Sequence, residues 1–293
     1  MSGRTVSLAL GSGGARGLAH IGAIRCIEEL GFDVRYIAGS SIGALIGGIY
    51  AAGKLDVYEE WVRALRRRDV VRLLDWSFGG AMFKGERIIA VLRDLVGEVE
   101  IEALPVGYTA VASAVNERRE VWLNRGPLWD AIRASIAVPL LFAPVEHGGM
   151  LLVDGGLLSP VPIAPTLNSL TELTIAIDLN AAYEVELARR RSAARSAANA
   201  PAAGLTARIT RYVDDLIAVR EPRGTPTPGA LEIALRSMEA MQATISRMKL
   251  AAYAPELVVP IPRNLATFFE FDRAEELIRF GYERTRETLA RQL

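Results

Sequence analysis

The chain has 293 residues, 51% of them hydrophobic and 23% charged, enough to bury a large core and ordinary for a folded soluble protein. Lysine plus arginine and aspartate plus glutamate each number 34, so the formal net charge is zero and the basic footprint of a nucleic-acid binder is missing. A single cysteine, Cys26, excludes an intrachain disulfide and fits a reducing compartment, so a cytoplasmic location is expected.

In chain order, Arg4 is followed by a short apolar strand, Thr5 to Leu10, rather than by a secretory leader. A glycine-rich turn then leads into a helix to about Leu30, in which Cys26 shares an apolar face with Ile24, Ile27 and Leu30. A second strand, Tyr36 to Ala38, enters another helix that runs to about Ala52. Tyr36 to Gly53 carries no charge and reaches the length of a membrane span. Its glycines (Gly39, Gly43, Gly47, Gly48 and Gly53) and its strand-like start favour a buried strand–turn–helix instead. This β-loop-α-β-turn-α order predicts an α/β fold with a mainly parallel sheet covered by helices.

Further strands are predicted at Val106 to Val115, Glu120 to Leu123, Met150 to Val153, Leu173 to Ile177 and Glu256 to Ile261. Helices are predicted at Leu55 to Arg67, Gly85 to Val96, Leu128 to Ala137 and Asp272 to Arg291. After Asn180 the composition shifts. Ala188 to Gly204 is alanine-rich and basic, a solvated helix end or a linker, and Glu221 to Gly229 is a Pro/Gly/Thr loop. Helical segments lie between and after these. The second places Leu231, Leu235, Met238, Ile245 and Met248 at helical spacing, either as a core face or as an adaptable lid or partner surface.

Two glycine-rich turns carry the chemistry. Gly39-Ser40-Ser41-Ile42-Gly43 fits G-x-S-x-G between a strand and a helix. That is either a tight capped turn or an elbow that exposes the hydroxyl of Ser41 as a nucleophile. The earlier stretch, Leu8 to Ile24, puts glycines between a strand and a helix, where backbone amides can face an anion. A Walker loop would need Gly-Lys-Ser/Thr, which is missing. A dinucleotide fingerprint read from Gly11 puts Arg16 at the third glycine, and the second strand ends in Gly39-Ser40 rather than in an acid. An oxyanion hole needs only unhindered amides near a nucleophile, and two successive parallel strands would bring both turns to one sheet end.

A serine nucleophile needs a base, and the two histidines, His20 and His147, fit poorly. His20 lies within the first helix and His147 in a turn-like surface stretch, and neither gives the Ser-acid-His order of an α/β-hydrolase. Asp154 follows an apolar strand and precedes Gly155-Gly156. It reads either as an Asp-Gly hairpin turn or as a partly desolvated carboxylate at a strand end.

These blocks resemble the patatin-like phospholipase family, of the bacterial type related to neuropathy target esterase. The resemblance rests on Gly13-Gly14-Ala15-Arg16-Gly17, the elbow around Ser41, and Asp154-Gly155-Gly156, with Arg133 to Val145 and the SPVPI segment adding to it. It departs at Ser12, where the family's loop usually has its first glycine. It implies a three-layer α/β/α catalytic domain over residues 5–180; the composition adds a variable basic and proline-rich insertion over 181–229, which the resemblance does not cover, and C-terminal helices and a strand over 230–293 are expected to pack on the same domain. It also implies a Ser41–Asp154 dyad, an oxyanion hole from the amides of Gly13, Gly14 and Ala15, and supporting roles for Arg16, Gly17, Gly39, Gly43, Gly155 and Gly156. Arg16 would stand beside the hole or meet a lipid phosphate, and an ordinary surface ion pair is the competing reading. No metal or nucleotide is implied.

The expected activity is hydrolysis of phospholipid, lysophospholipid or related lipid esters, with peripheral contact at the inner membrane face. Trp76 to Phe83 and the methionine-bearing helix are the expected contact surfaces. The alternatives are a non-catalytic lipid sensor or regulator and a carboxylesterase for small esters.

Overall fold

A computed structural model of the chain describes residues 3–73, 83–187 and 229–292. Five parallel strands form the body of the sheet: β1 (Thr5–Leu10), β2 (Asp33–Ser40), β3 (Gly107–Ala114), β7 (Leu173–Ala181) and β8 (Leu257–Pro262). Their spatial order is β3-β2-β1-β7-β8. β4 (Arg119–Leu123) and β6 (Met150–Asp154) pair antiparallel with β3, and β5 (Val145–His147) pairs antiparallel with β6. The short β5 escapes the sequence reading: its turn, Gly148-Gly149, is a left-handed hairpin, so the tight turn of this region lies there rather than at Asp154.

Both faces of the sheet are covered, as the nearly continuous apolar character of β1 requires. Val6, Leu8 and Leu10 face one layer, which contains Ile24 and Ile27 of α1 (Ala19–Glu29) and Ile46 and Ile49 of α2 (Ile42–Ala51). Ala9 and Ala176 face the other, where Val161 and Ile163 pack with Leu250. The architecture is therefore the three-layer α/β/α fold. Between these parts lie α3 (Leu55–Ala64), α4 (Arg67–Leu73), α5 (Glu86–Val96), α6 (Leu128–Ser135), α7 (Ala230–Tyr253) and α8 (Ala274–Gln292).

Two expectations are corrected. The helix predicted from Leu55 to Arg67 is two helices: Leu65 is extended, and the Asp69 carboxylate accepts the Arg66 amide at 3.1 Å, starting α4 afresh. On α7 the stripe is half-buried at Leu235, Met238 and Ile245 and exposed at Met248 (67%), and the fully buried positions among the described residues are Ala243 and Ser246. Trp76 and Phe78 lie outside the described residues, whereas Phe83 is buried. It exchanges backbone hydrogen bonds with Leu141 and Ala143 and packs on Phe142, so it is not a surface for membrane contact.

α1 and α8 approach backbone to backbone. A Cβ on Gly281 would fall against the Ala19 backbone, and one on Gly22 would fall against Ile278 and Tyr282. Gly281→Val is expected to destabilise the fold by at least about 1–3 kcal/mol through overpacking, read from urea unfolding midpoints. An unchanged midpoint would contradict this packing.

Candidate active site

The register of β3 places the site. β4 occupies one edge of β3 along Ala110–Ala114. The other edge is shared: β2 pairs with it up to Ser40 opposite Val111, and the antiparallel β6 ends at Asp154 opposite Ala112. β2 and β6 therefore end against each other on adjacent residues of one strand, and this brings Ser41 and Asp154 together across a long sequence separation.

Ser41 follows the last residue of β2 and precedes α2, with φ 57° and ψ −125°, a conformation that is costly for a residue with a side chain. Gly39 and Gly43 permit it. A Cβ on Gly39 would strike the Gly43 backbone, and one on Gly43 would strike the backbone carbonyls of Leu10 and Gly11. The Ser41 amide is held by a residue the sequence reading did not assign. It donates to Ser135 Oγ at 3.0 Å, and Ser135 Oγ donates to the Val111 carbonyl at 2.6 Å. Its only sequence signal is a serine within the apolar end of a helix.

Asp154 is 2% exposed. Its amide donates to the Ala137 carbonyl at 2.9 Å, so the last residue of α6 and the turn just beyond it hold both strand termini. Oδ1 accepts the Gly156 amide at 2.7 Å, while Oδ2 is buried without a hydrogen bond. Burial pushes the Asp154 pKa up to about 7, against the opposing effects of the Ser41 hydroxyl and the Gly156 amide. The Ser41 hydroxyl is thus near enough to act on the carboxyl, yet the pair falls short of strict hydrogen-bond geometry. Such contacts commonly tighten only around a substrate.

The glycine loop stands beside them, because Leu10 and Gly39 are register partners on parallel strands. Gly14 has φ 56°, and a Cβ there would also meet Phe268 at 2.7 Å. Ser12 donates its amide to the Pro160 carbonyl at 2.8 Å, and Ala15 donates its own to the Phe268 carbonyl at 2.9 Å. The expectation for Ala15 is thereby corrected: its N–H is already committed to Phe268, which leaves the Gly13 and Gly14 amides as the loop's candidate oxyanion donors. Gly17 abuts Ile42, and Gly155 and Gly156 abut Ser40 and Ser12. Ser12 itself is buried, with its hydroxyl unpaired.

Arg16 is 4% exposed, so its sequence reading as a surface ion pair is also corrected. Nη1 donates to the Ala266 carbonyl at 3.2 Å and lies 3.5 Å from Glu239 of α7. His20 is buried, with Nε2 donating to the Gly11 carbonyl at 2.8 Å, and burial pushes its pKa down to about 4. It braces the loop. His147 lies on β5 and is exposed.

A family model described as patatin-like phospholipase matches residues 8–167. An uncharacterized NTE family protein of Mycobacterium tuberculosis is 38% identical over 319 aligned positions, covering 94% of this chain and 89% of that protein. Neuropathy target esterase of Drosophila melanogaster is 30% identical over 64% of this chain and 14% of its own length. A lysophospholipase of Emericella nidulans is 31% identical over 61% of this chain and 12% of its own.

Ser135→Ala leaves the buried Ser41 amide without an acceptor. The expected cost is about 1–3 kcal/mol of folding stability, measured by urea unfolding, since an orphaned buried donor forfeits its solvation. A loss below about 0.3 kcal/mol would show that Ser135 does not hold the elbow.

Proposed function

The chain belongs to the patatin-like phospholipase family, and from that premise we propose that it is a serine hydrolase of lipid carboxylic esters, with Ser41 as nucleophile and Asp154 as its base. The observation that carries this reading is the meeting of the β2 and β6 termini on one edge of β3. It sets a strained serine beside a buried carboxyl whose pKa lies near neutrality, where a general base is most effective.

In this reading the Ser41 hydroxyl attacks the ester carbonyl while Asp154 takes its proton. The negative charge that develops on the carbonyl oxygen is received by the Gly13 and Gly14 amides, preset donors that need no reorganisation. Asp154 then returns the proton to the departing alcohol, leaving an acyl group on Ser41. Water, deprotonated by Asp154, attacks that acyl group, and the carboxylic acid leaves with Ser41 restored. The names of the relatives, an esterase and a lysophospholipase, agree with such a substrate. Among the described residues no helix is long and apolar enough to cross a membrane, and the proposed access to lipid is by peripheral contact.

A base with a raised pKa imposes a testable tension. A carboxyl with a pKa of about 7 in the folded chain and 3.8 as its ordinary value favours the protonated folded state. Relative stability is therefore fully present below pH 3.8 and is lost as pH rises toward 7, by an amount on the order of 4 kcal/mol. Asp154→Asn removes that penalty, so the variant should unfold later than wild type at pH 8 and show no such advantage at pH 4. Its turnover of a lysophospholipid should fall by several orders of magnitude. Wild-type kcat should drop on the acid side with a midpoint near 7, and the same limb should persist in His147→Gln. An active Asp154→Asn, or an acid limb that disappears with His147, would overturn the assignment.

A further inference from the structure

The end of β7 touches the glycine loop residue by residue. Gly11 donates its amide to the Ile177 carbonyl at 3.0 Å, and Asn180 Nδ2 donates to the Ser12 carbonyl at 3.2 Å. A Cβ on Gly13 would meet Leu179 Cβ at 2.8 Å. The residue between these contacts, Asp178, is 4% exposed. Its Oδ1 accepts the Asn180 amide at 2.9 Å and the Ser246 hydroxyl of α7 at 2.8 Å. Burial raises its pKa, and the neighbouring Arg16 charge is among the influences that oppose the rise.

The chemistry proposed for Ser41 and Asp154 gives Asp178 no proton to move, yet a buried carboxyl is expensive unless its partners make it worth keeping. Those partners have a common geometry. Asn180 and Arg16 bracket the Gly13 and Gly14 amides, one through the Ser12 carbonyl and the other as part of the turn Gly14–Leu18. Ser246 and Glu239 place both brackets under the same helix.

We propose that Asp178 is a positioning residue that holds the Ser12–Arg16 loop with its Gly13 and Gly14 amides aligned, and that Ser246 makes this hold depend on the seating of α7. The inference rests on the hydrolase reading for its catalytic consequence, but not for the hold itself. Asp178 acts on the loop from one side, as the buried acceptor that shapes the turn carrying Asn180 and ties it to Ser246 of α7. With that acceptor weakened, the Asn180 hold on the Ser12 carbonyl loosens, and the loop is free to rotate its amides away from the oxyanion.

Two variants of the full chain test this, Asp178→Asn and Ser246→Ala. Hydrogen exchange of the segment 8–18, followed by mass spectrometry, reads the hold without reference to activity. It should speed up about tenfold or more in Asp178→Asn and severalfold in Ser246→Ala, with exchange in α2 and β3 unchanged. Turnover of a lysophospholipid should show a 30- to 100-fold fall in kcat for Asp178→Asn with KM within threefold, a fraction of the loss expected for a missing oxyanion donor. Unaltered exchange in 8–18, or exchange that rises equally throughout the chain, overturns the positioning role. A looser loop with unchanged kcat in an active protein overturns its catalytic importance. A wild-type chain that hydrolyses no ester removes the hydrolase reading and leaves the exchange arm to decide the hold. Should Asp178→Asn not fold, Ser246→Ala, which keeps every charge, decides by the same two measurements.

Discussion

One edge of β3 governs the molecule. Because β2 ends opposite Val111 and β6 ends opposite Ala112, two chain segments more than a hundred residues apart deliver Ser41 and Asp154 to neighbouring points. A register slip of one residue on either side would turn every side chain of that strand to the other face and separate the pair. The fold guards against this slip from outside the sheet. The last residue of α6, Ser135, receives the Ser41 amide, and Ala137 in the turn just beyond it receives the Asp154 amide, so one short stretch of chain clamps both strand ends.

The same region concentrates what folding alone would avoid. Ser41 adopts a strained backbone, and Asp154 keeps a buried oxygen without a hydrogen bond. Each costs stability, and such costs gather at functional sites where the surrounding packing overrules local preference. Here the surrounding packing is the apolar layer of α1, α2 and α8, whose closest approach depends on Gly22 and Gly281. The two buried carboxyls differ in kind: Asp154 faces a hydroxyl with one oxygen unpaired, whereas Asp178 is surrounded by donors and by the Arg16 charge. That contrast separates a group able to exchange a proton from one suited to hold position.

What was legible in the sequence is what is encoded locally. A strand leading into glycines and then a helix identifies both turns at the C-terminal ends of β1 and β2, and the apolar run before Asp154 marks it as a strand end. The parallel order of β1 and β2 follows from the helix between them. Contacts that close through distant segments left no such trace. Phe268 claims the Ala15 amide across most of the chain, and Ser246 reaches Asp178 from a helix whose apolar spacing suggested another buried face. For Arg16 the sequence left a place beside the hole and a surface ion pair both open, and its burial against Glu239 and the Ala266 carbonyl comes from distant segments. The break at Leu65 also stayed hidden, because a single extended residue inside a helical pattern is set by tertiary packing rather than by propensity.

The central claim is that a carboxylate, and no histidine, makes Ser41 nucleophilic. Its most direct test is the rate at which a fluorophosphonate attaches covalently to the protein, followed by intact-mass spectrometry across pH 4 to 10. The account predicts a single adduct on Ser41, with a labelling rate that rises through a midpoint near pH 7, the value burial gives Asp154. It also predicts that this rise is lost in Asp154→Asn. An adduct on another residue, or Asp154→Asn labelling at the wild-type rate with the same midpoint, would contradict it.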